Sequence, residues 1–270
     1  MPGQRIIALP LTTLRVAQRS GFPIPFVYYH LQTTAPPTSG EDAKQPGILK
    51  RVTEKAASTW ASFGKAPEGN WRLRTFRYGE RIMDRIDFEE LALKSFDPAM
   101  GPRITKVING ESSEEKKRDE KITLFHPTEF GAPLGHLKSL LEKRTPLHRR
   151  GFYTWLGIAP LTAPFMIVPI IPNLPFFFSA WRSWSHYRAW KSSEHIEELL
   201  EHDLIETQPS KELDAIYEST QSEGTDASVL LSAAKVPDVV SLFGLPETAS
   251  ADLLRALEQV KLRLKGGSEK

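Results

Sequence analysis

The sequence predicts an α+β fold: a small N-terminal mixed domain with four short strands, then a proline-broken hydrophobic helical hairpin, then C-terminal helices. Three observations predict it. Short β-branched and aromatic runs lie between proline or glycine breaks in the first half, as strands do. Apolar residues recur at helical spacing in several charged segments. The 31 residues Gly151–Trp181 carry five prolines and no charge, which is typical of a broken apolar helix.

The composition limits the class of protein. Of the 270 residues, 40% are apolar and 25% are charged, which is an ordinary globular balance. A polytopic transporter would need many apolar runs, and this chain has one. Because the chain has no cysteine, disulfides, cysteine-ligated zinc, iron–sulfur clusters and thiol nucleophiles are excluded.

Four strands are predicted in the first half. Arg5–Leu11 and Phe26–Thr34 are rich in β-branched or aromatic residues. Ile104–Gly110 and Lys121–Gly131 flank the charged block 111–121 and predict a hairpin with a polar loop. The first 40 residues contain arginine and no acid, a composition that also fits a mitochondrial presequence, so the first run has two interpretations.

Helices complete this domain, which is predicted to span residues 1–130. Apolar residues at helical spacing predict one helix from Ile48 to Ala66. Asn70–Pro98 predicts a single long helix, capped at its start by Asn70 and ended by Pro98.

The remaining chain is predicted to be mostly helical. Residues 131–206 read as a basic-flanked hydrophobic helical hairpin associated with a membrane. Residues 207–249 read as a polar linker with short helices. Residues 250–265 predict a C-terminal amphipathic helix whose apolar stripe is Leu253, Leu257, Val260 and Leu264.

The uncharged run raises a membrane question. Gly151–Ile171 supplies 21 residues, and a spanning helix needs roughly 20. The second arm is shorter because Arg182 ends it. Basic residues on both flanks favour a hairpin or re-entrant element with both ends on one face, turning at Pro169–Pro175. The alternative is a buried helical hairpin in a soluble core.

Two sets of residues are predicted for the membrane interpretation. The membrane-inserting set is Trp155, Phe165, Met166, Phe176, Phe177 and Phe178. The interface-anchoring set is Arg149, Arg150, Trp181, Arg182, Trp184, Tyr187, Arg188 and Trp190, an aromatic belt with arginines among it.

No catalytic or ligand-binding motif is found, so the sequence predicts no enzyme, no cofactor and no metal site. His126, His136 and His148 lack metal-ligand spacing, and His186 and His195 are nine residues apart. The basic and aromatic segment 182–191 resembles a nucleic-acid platform, but beside an apolar run a membrane interface is favoured over nucleic acid. Gly151–Trp181 contains no carboxylate to carry a proton.

Several segments together resemble the mitochondrial K+–H+ exchange-related family of fungi. They are "RIIALPL", "WRLRTFRYGERIMDRIDFEELALKSF", the long block from "HPTEFG" to "SHYRAW", and "LDAIY". The resemblance covers most of residues 4–217, with a weaker match in "LLRALEQVKLRL". If the first run belongs to the family domain, it is not a cleaved presequence. The family offers no established catalytic residues to carry over.

The resemblance implies a component or assembly factor of K+/H+ exchange in the mitochondrial inner membrane, with the bulk of the chain in the matrix. Expected partners are inner-membrane lipids and other exchange subunits, LETM-type proteins among them; the chain either forms a homo-oligomer or supports a larger machine. Two alternatives stay open. One is a membrane-docked scaffold that binds inner-membrane proteins or cardiolipin and affects ion balance indirectly. The other is a soluble matrix protein with an internal hairpin.

Overall fold

The structure is a computed structural model. It describes residues 4–22, 24–33, 58–59, 61–84, 86–95, 121–162, 174–222 and 229–268. The chain divides into two compact units, one formed by Met1–Thr34 with Phe88–Lys270 and the other by Ala35–Asp87.

In chain order the elements are β1 (Gln4–Pro10), α1 (Leu14–Arg19), β2 (Val27–Thr33), α2 (Trp71–Asp84), α3 (Phe88–Ser95), β3 (Ile122–His126), α4 (Pro133–Thr162), α5 (Leu174–Glu201), β4 (Ile205–Pro209), α6 (Lys211–Ser222), α7 (Val236–Phe243) and α8 (Glu247–Ser268). A short 3₁₀ turn, Ala233–Lys235, precedes α7.

The larger unit is built on a four-stranded mixed sheet in the order β2-β1-β3-β4. β1 pairs antiparallel with β2 and parallel with β3, and β3 pairs parallel with β4. Helices make up most of the chain after β3. The predicted α+β class, with four strands and helices after them, is therefore confirmed.

Helices cover both faces of the sheet. Ile7 and Leu9 of β1 face one core with α6, α7 and α8, whereas Ile6 and Ala8 face a second core with the bases of α4 and α5. All four side chains are at most 1% exposed. Alternate strand residues point to opposite faces, and β1 is apolar from Ile6 to Pro10, as expected of a strand segment buried on both sides.

The structure confirms three of the four predicted strands and contains one strand that was not predicted. β1, β2 and β3 match three predicted runs within a few residues. The predicted hairpin partner of β3, Ile104–Gly110, lies outside the described residues, and both edges of β3 are already paired with β1 and β4. The fourth strand is Ile205–Pro209, at the start of the segment predicted as a polar linker. Only Ile205 of that strand is buried, so it lacks an apolar pattern.

The helix predicted over Asn70–Pro98 is two helices, which is a correction to the sequence prediction. α2 ends at Asp84 and α3 begins at Phe88, and the two units meet in sequence at this break. Phe88, which begins α3, is fully buried. Most of the predicted helix from Ile48 lies outside the described residues, although 61–64 are helical.

The C-terminal helix α8 buries the predicted stripe. Leu253, Leu257, Val260 and Leu264 are all at most 6% exposed. The helix begins three residues before the predicted cap Ser250 and continues past Gly266. Burying four such side chains stabilises the fold by roughly 1.5–3 kcal/mol each.

Candidate functional site

The candidate site is the hairpin formed by α4 and α5, which connects β3 to β4. Thr145 contacts Glu197, His148 contacts His186, and Trp155 contacts Phe178. The partner number falls as the residue number rises, so the two helices are antiparallel. α4 continues through Pro146 and Pro160 without ending. The base of the hairpin packs on the sheet, and its far end extends toward Thr162 and Leu174.

Gly151 allows the two helices to approach closely at mid-height. A Cβ atom built on Gly151 would lie 2.8 Å from three atoms of the His186 ring. Real Cβ atoms essentially never come that close, so only glycine fits here without displacing the ring.

Rings from both helices pack on one another in the half of the hairpin beyond this level. Trp155 meets Phe178 edge to face at 5.3 Å between ring centroids, and Phe152 lies 5.4 Å from Tyr187. Other large apolar side chains are left facing solvent. We call these the tip surface: Tyr153 (55% exposed), Leu156 (50%), Leu161 (74%), Phe177 (56%) and Trp184 (47%).

The tip surface is bordered by basic residues on both helices. Arg149 and Arg150 of α4 are exposed, and so is Arg188 of α5. The Arg149 guanidinium lies 5.7 Å from the ring centroid of Trp190, within cation–π range. Beyond Arg150 on α4 and Arg182 on α5 there is no further charge toward the tip.

The structure changes the predicted role of two interface residues. Arg182 is bound to the Glu90 carboxylate and its side chain is 18% exposed, so it does not face the surroundings. Trp190 is 9% exposed and donates its indole N–H to Glu194 at 2.7 Å. Both were predicted as anchors because they lie in a basic and aromatic segment, but they point toward protein.

Of the other predicted aromatic and apolar residues, some lie among the tip rings, some belong to the tip surface, and two lie outside the described residues. Trp155, Phe176, Phe178, Trp181 and Tyr187 are partly buried among the tip rings. Phe177 and Trp184 belong to the tip surface. Phe165 and Met166 lie outside the described residues.

A buried polar cluster, which the sequence did not predict, lies at the level of Gly151. Glu90 of α3 is 3% exposed. Its two oxygens accept hydrogen bonds from both terminal nitrogens of Arg182, and Oε1 also accepts one from Ser185 at 3.0 Å. Burial opposes ionisation of Glu90, but hydrogen bonding and charge from Arg182 outweigh it and hold its pKa below the usual value. Glu90 is therefore a carboxylate at neutral pH.

Two histidines complete this cluster. His148 Nδ1 lies 3.2 Å from His186 Nδ1. His148 is 3% exposed and its Nε2 has no hydrogen-bond partner among the described residues. Burial lowers the pKa of His148 to about 4, and burial also lowers the pKa of His186. Both rings are therefore neutral at pH 7.

Local sequence spacing could not reveal this cluster. Glu90, His148 and His186 come from three helices and are far apart in the chain. In the sequence, nothing distinguishes Glu90 from the other acidic residues of its charged helix. A signal did exist in Gly151, an isolated glycine inside a helical segment, which indicates a close approach.

Comparison with known proteins identifies the family. A family model described as mitochondrial K+–H+ exchange-related matches residues 5–200. The chain belongs to this family. The match runs from β1 to the end of α5 and so includes three of the four strands, the hairpin and the buried polar cluster. The resemblance noted from the sequence is confirmed, and the family description relates the chain to mitochondria and to K+–H+ exchange.

Relatives of this exchange-related chain occur in two yeasts. An uncharacterized protein of Schizosaccharomyces pombe is 25% identical over 228 residues, which are 84% of this chain and 89% of that protein. An uncharacterized protein of Saccharomyces cerevisiae is 25% identical over 181 residues, which are 58% of this chain and 55% of that protein. The latter match thus spans little more than half of the S. cerevisiae relative. No solved structure matches.

Across the described residues, no helix combines the length and the apolar character needed to cross a membrane.

Proposed function

We propose that the chain is a non-enzymatic component or assembly factor of K+/H+ exchange in the mitochondrial inner membrane, and that its tip surface docks into that membrane from the matrix side. Family membership supports the relation to K+–H+ exchange. The observation that carries the docking is the tip surface itself, because exposed aromatic and aliphatic side chains bordered by arginines are typical of interfacial anchoring.

The heights of the arginines support docking in one plane. Gly151 lies against His186 and the helices are antiparallel, so Arg149 and Arg188, each two residues nearer the base, lie at nearly the same height, with Arg150 next on α4. Above them α4 continues for the 12 residues Gly151–Thr162, about 18 Å of helix. One leaflet is about half of a ~30 Å hydrocarbon core. The described arms therefore suit entry into one leaflet, which favours a re-entrant hairpin over a single span.

The border residues favour anionic lipid. Arg149, Arg150 and Arg188 are exposed, and each basic residue near an anionic surface contributes about 1 kcal/mol of attraction. Cardiolipin carries such charge in the inner membrane, so we propose it as the lipid that the border contacts.

The same hairpin supports a role as a component over that of a lone exchanger. Ion transport needs ionisable or strongly polar groups inside the membrane, and Gly151–Trp181 contains no carboxylate, arginine, lysine or histidine. We propose that the ion pathway is supplied by other exchange subunits, LETM-type proteins among them.

Flotation with vesicles tests the docking. Purified full-length chain is mixed with phosphatidylcholine vesicles with and without cardiolipin. We expect the wild type to float with cardiolipin vesicles and the double variant Leu161→Glu/Phe177→Glu to lose at least about tenfold in partitioning, since each lost apolar contact is worth roughly 1.5–3 kcal/mol. Leu262→Glu is the matched control, because Leu262 is 69% exposed on α8, whose apolar stripe lies in the core on the other side of β1 from the hairpin base. Equal flotation of the double variant and the wild type would contradict docking through the tip surface.

Swelling of isolated mitochondria in potassium acetate tests the role in exchange. Mitochondria that lack the chain should swell slowly, and wild-type chain but not Leu161→Glu/Phe177→Glu should restore the rate. If mitochondria that lack the chain swell at the wild-type rate, the proposed role in exchange is wrong. The alternative of a membrane-docked scaffold predicts cardiolipin binding with normal swelling, so the two experiments together separate the two functions.

A further inference from the structure

We propose that Glu90, His148 and His186 form a binding site for a divalent transition-metal ion of the zinc class, at the point where α3 meets the middle of the hairpin. One carboxylate oxygen and one nitrogen from each ring lie within 4.8 Å of one another. No sequence motif gives this site, since each ligand comes from a different helix.

The spacing of the two rings is the first argument. Two nitrogens bound to one tetrahedral zinc at ~2.0–2.1 Å lie about 3.3 Å apart, and His148 Nδ1 lies 3.2 Å from His186 Nδ1. Two imidazole lone pairs facing each other at that distance repel, so a proton or a metal ion must lie between them. A bridging proton satisfies the two Nδ1 atoms and leaves His148 Nε2, inside the protein, without a partner.

The state of the ligands is the second argument. Metal ions bind neutral imidazole and ionised carboxylate. Burial keeps both histidines in their neutral form and Arg182 keeps Glu90 ionised. The site therefore needs no loss of a bound proton to solvent at pH 7, because the bridging proton can move to the other nitrogen of the same ring.

Glu90 also has room for one more bond. An ionised carboxylate offers about four acceptor positions. Three are used, two on Oε1 by Arg182 and Ser185 and one on Oε2 by Arg182. No described residue fills the remaining position, on Oε2, while Arg182 and Ser185 hold the carboxylate in place, as outer partners of metal ligands commonly do.

The donor set decides the class of ion. Two imidazole nitrogens and one carboxylate oxygen suit zinc and its neighbours among the transition metals, whereas magnesium prefers oxygen ligands. Three protein ligands leave one position of a tetrahedron for water. The positive charge of Arg182 beside the site weakens the attraction for a divalent ion, so we expect micromolar affinity.

Titration of the purified full-length chain with Zn²⁺ tests the proposal. We expect one ion per chain, with His148→Ala and His186→Ala each weakening binding at least about tenfold, the loss usual when a metal site is damaged. His202→Ala is the matched control, because His202 follows directly after α5 but is exposed; it should bind like the wild type. Equal binding by the His148→Ala/His186→Ala double variant overturns the site.

A second measurement on the wild type keeps the test decisive if a variant does not fold. Co²⁺ replaces Zn²⁺ and reports its coordination by visible absorption. Intense four-coordinate bands that saturate at one equivalent, and that Zn²⁺ removes, support the site. Only the weak bands of six-coordinate Co²⁺, or no saturable binding up to roughly 100 µM free Zn²⁺ with no rise in the unfolding temperature, overturn it.

Discussion

Gly151 offers the sharpest test of how the hairpin packs. In a helix, alanine is favoured over glycine by about 1 kcal/mol, so Gly→Ala inside α4 stabilises the chain unless the new methyl group collides. At Gly151 it would lie 2.8 Å from the His186 ring, and such overpacking costs about 1–3 kcal/mol. We therefore expect Gly151→Ala to lower the free energy of unfolding by about 1 kcal/mol.

Gly157 on the same helix is the matched control. No atom lies within 4 Å of a Cβ built there, and the residue is exposed, so Gly157→Ala should raise the free energy of unfolding by up to about 1 kcal/mol. Urea unfolding followed by circular dichroism measures both variants. In a His186→Ala background, Gly151→Ala should become stabilising, with a coupling of about 1–3 kcal/mol. Equal stabilisation by both glycine replacements in the wild-type background would refute the close approach of the two helices.

Three other positions give independent tests. Glu90→Ala leaves Arg182 without its carboxylate, and we expect a loss of about 3 kcal/mol in urea unfolding, whereas a loss below about 1 kcal/mol would show that the ion pair contributes little. Burial lowers the pKa of His136, so the unfolded chain binds protons that the native chain excludes. The free energy of unfolding should therefore be highest above about pH 6.5 and should decrease below it. In His136→Gln the urea midpoint should drop less between about pH 7.5 and 5.5 than it does in the wild type. An equal drop in the two proteins would contradict this. Gly244 ends α7 with φ +56°, and Gly244→Ala should cost about 1 kcal/mol of stability, which thermal unfolding would detect; an unchanged midpoint would count against strain at that position.

An element could be predicted wherever its structural role depends on residues that are close to one another in the sequence. β1 could be recognised because an apolar, β-branched run lies before a proline, and the stripe of α8 could be recognised because its residues repeat at helical spacing. β4 could not, since it is an edge strand that buries only Ile205, and its pairing with β3 depends on a segment far away in the chain.

The candidate site divides in the same way. Four of the five tip-surface residues lie in the uncharged run, and Trp184 lies just beyond it. The predicted sets contained Phe177 and Trp184 but missed Tyr153, Leu156 and Leu161. Arg182 was misinterpreted because its partner, Glu90, belongs to α3, and only the packing of three helices shows that the guanidinium is already bound. The same packing brings together His148 and His186, which no local pattern could have paired.

The place of the hairpin between β3 and β4 has a mechanical consequence. The chain leaves β3 at its C-terminal end and enters β4 at its N-terminal end, and in a parallel pair these ends lie at opposite edges of the five paired positions. Both arms of the hairpin are therefore joined at their bases to neighbouring, paired strands. A load on the tip reaches the sheet through two covalent connections, one to β3 and one to β4.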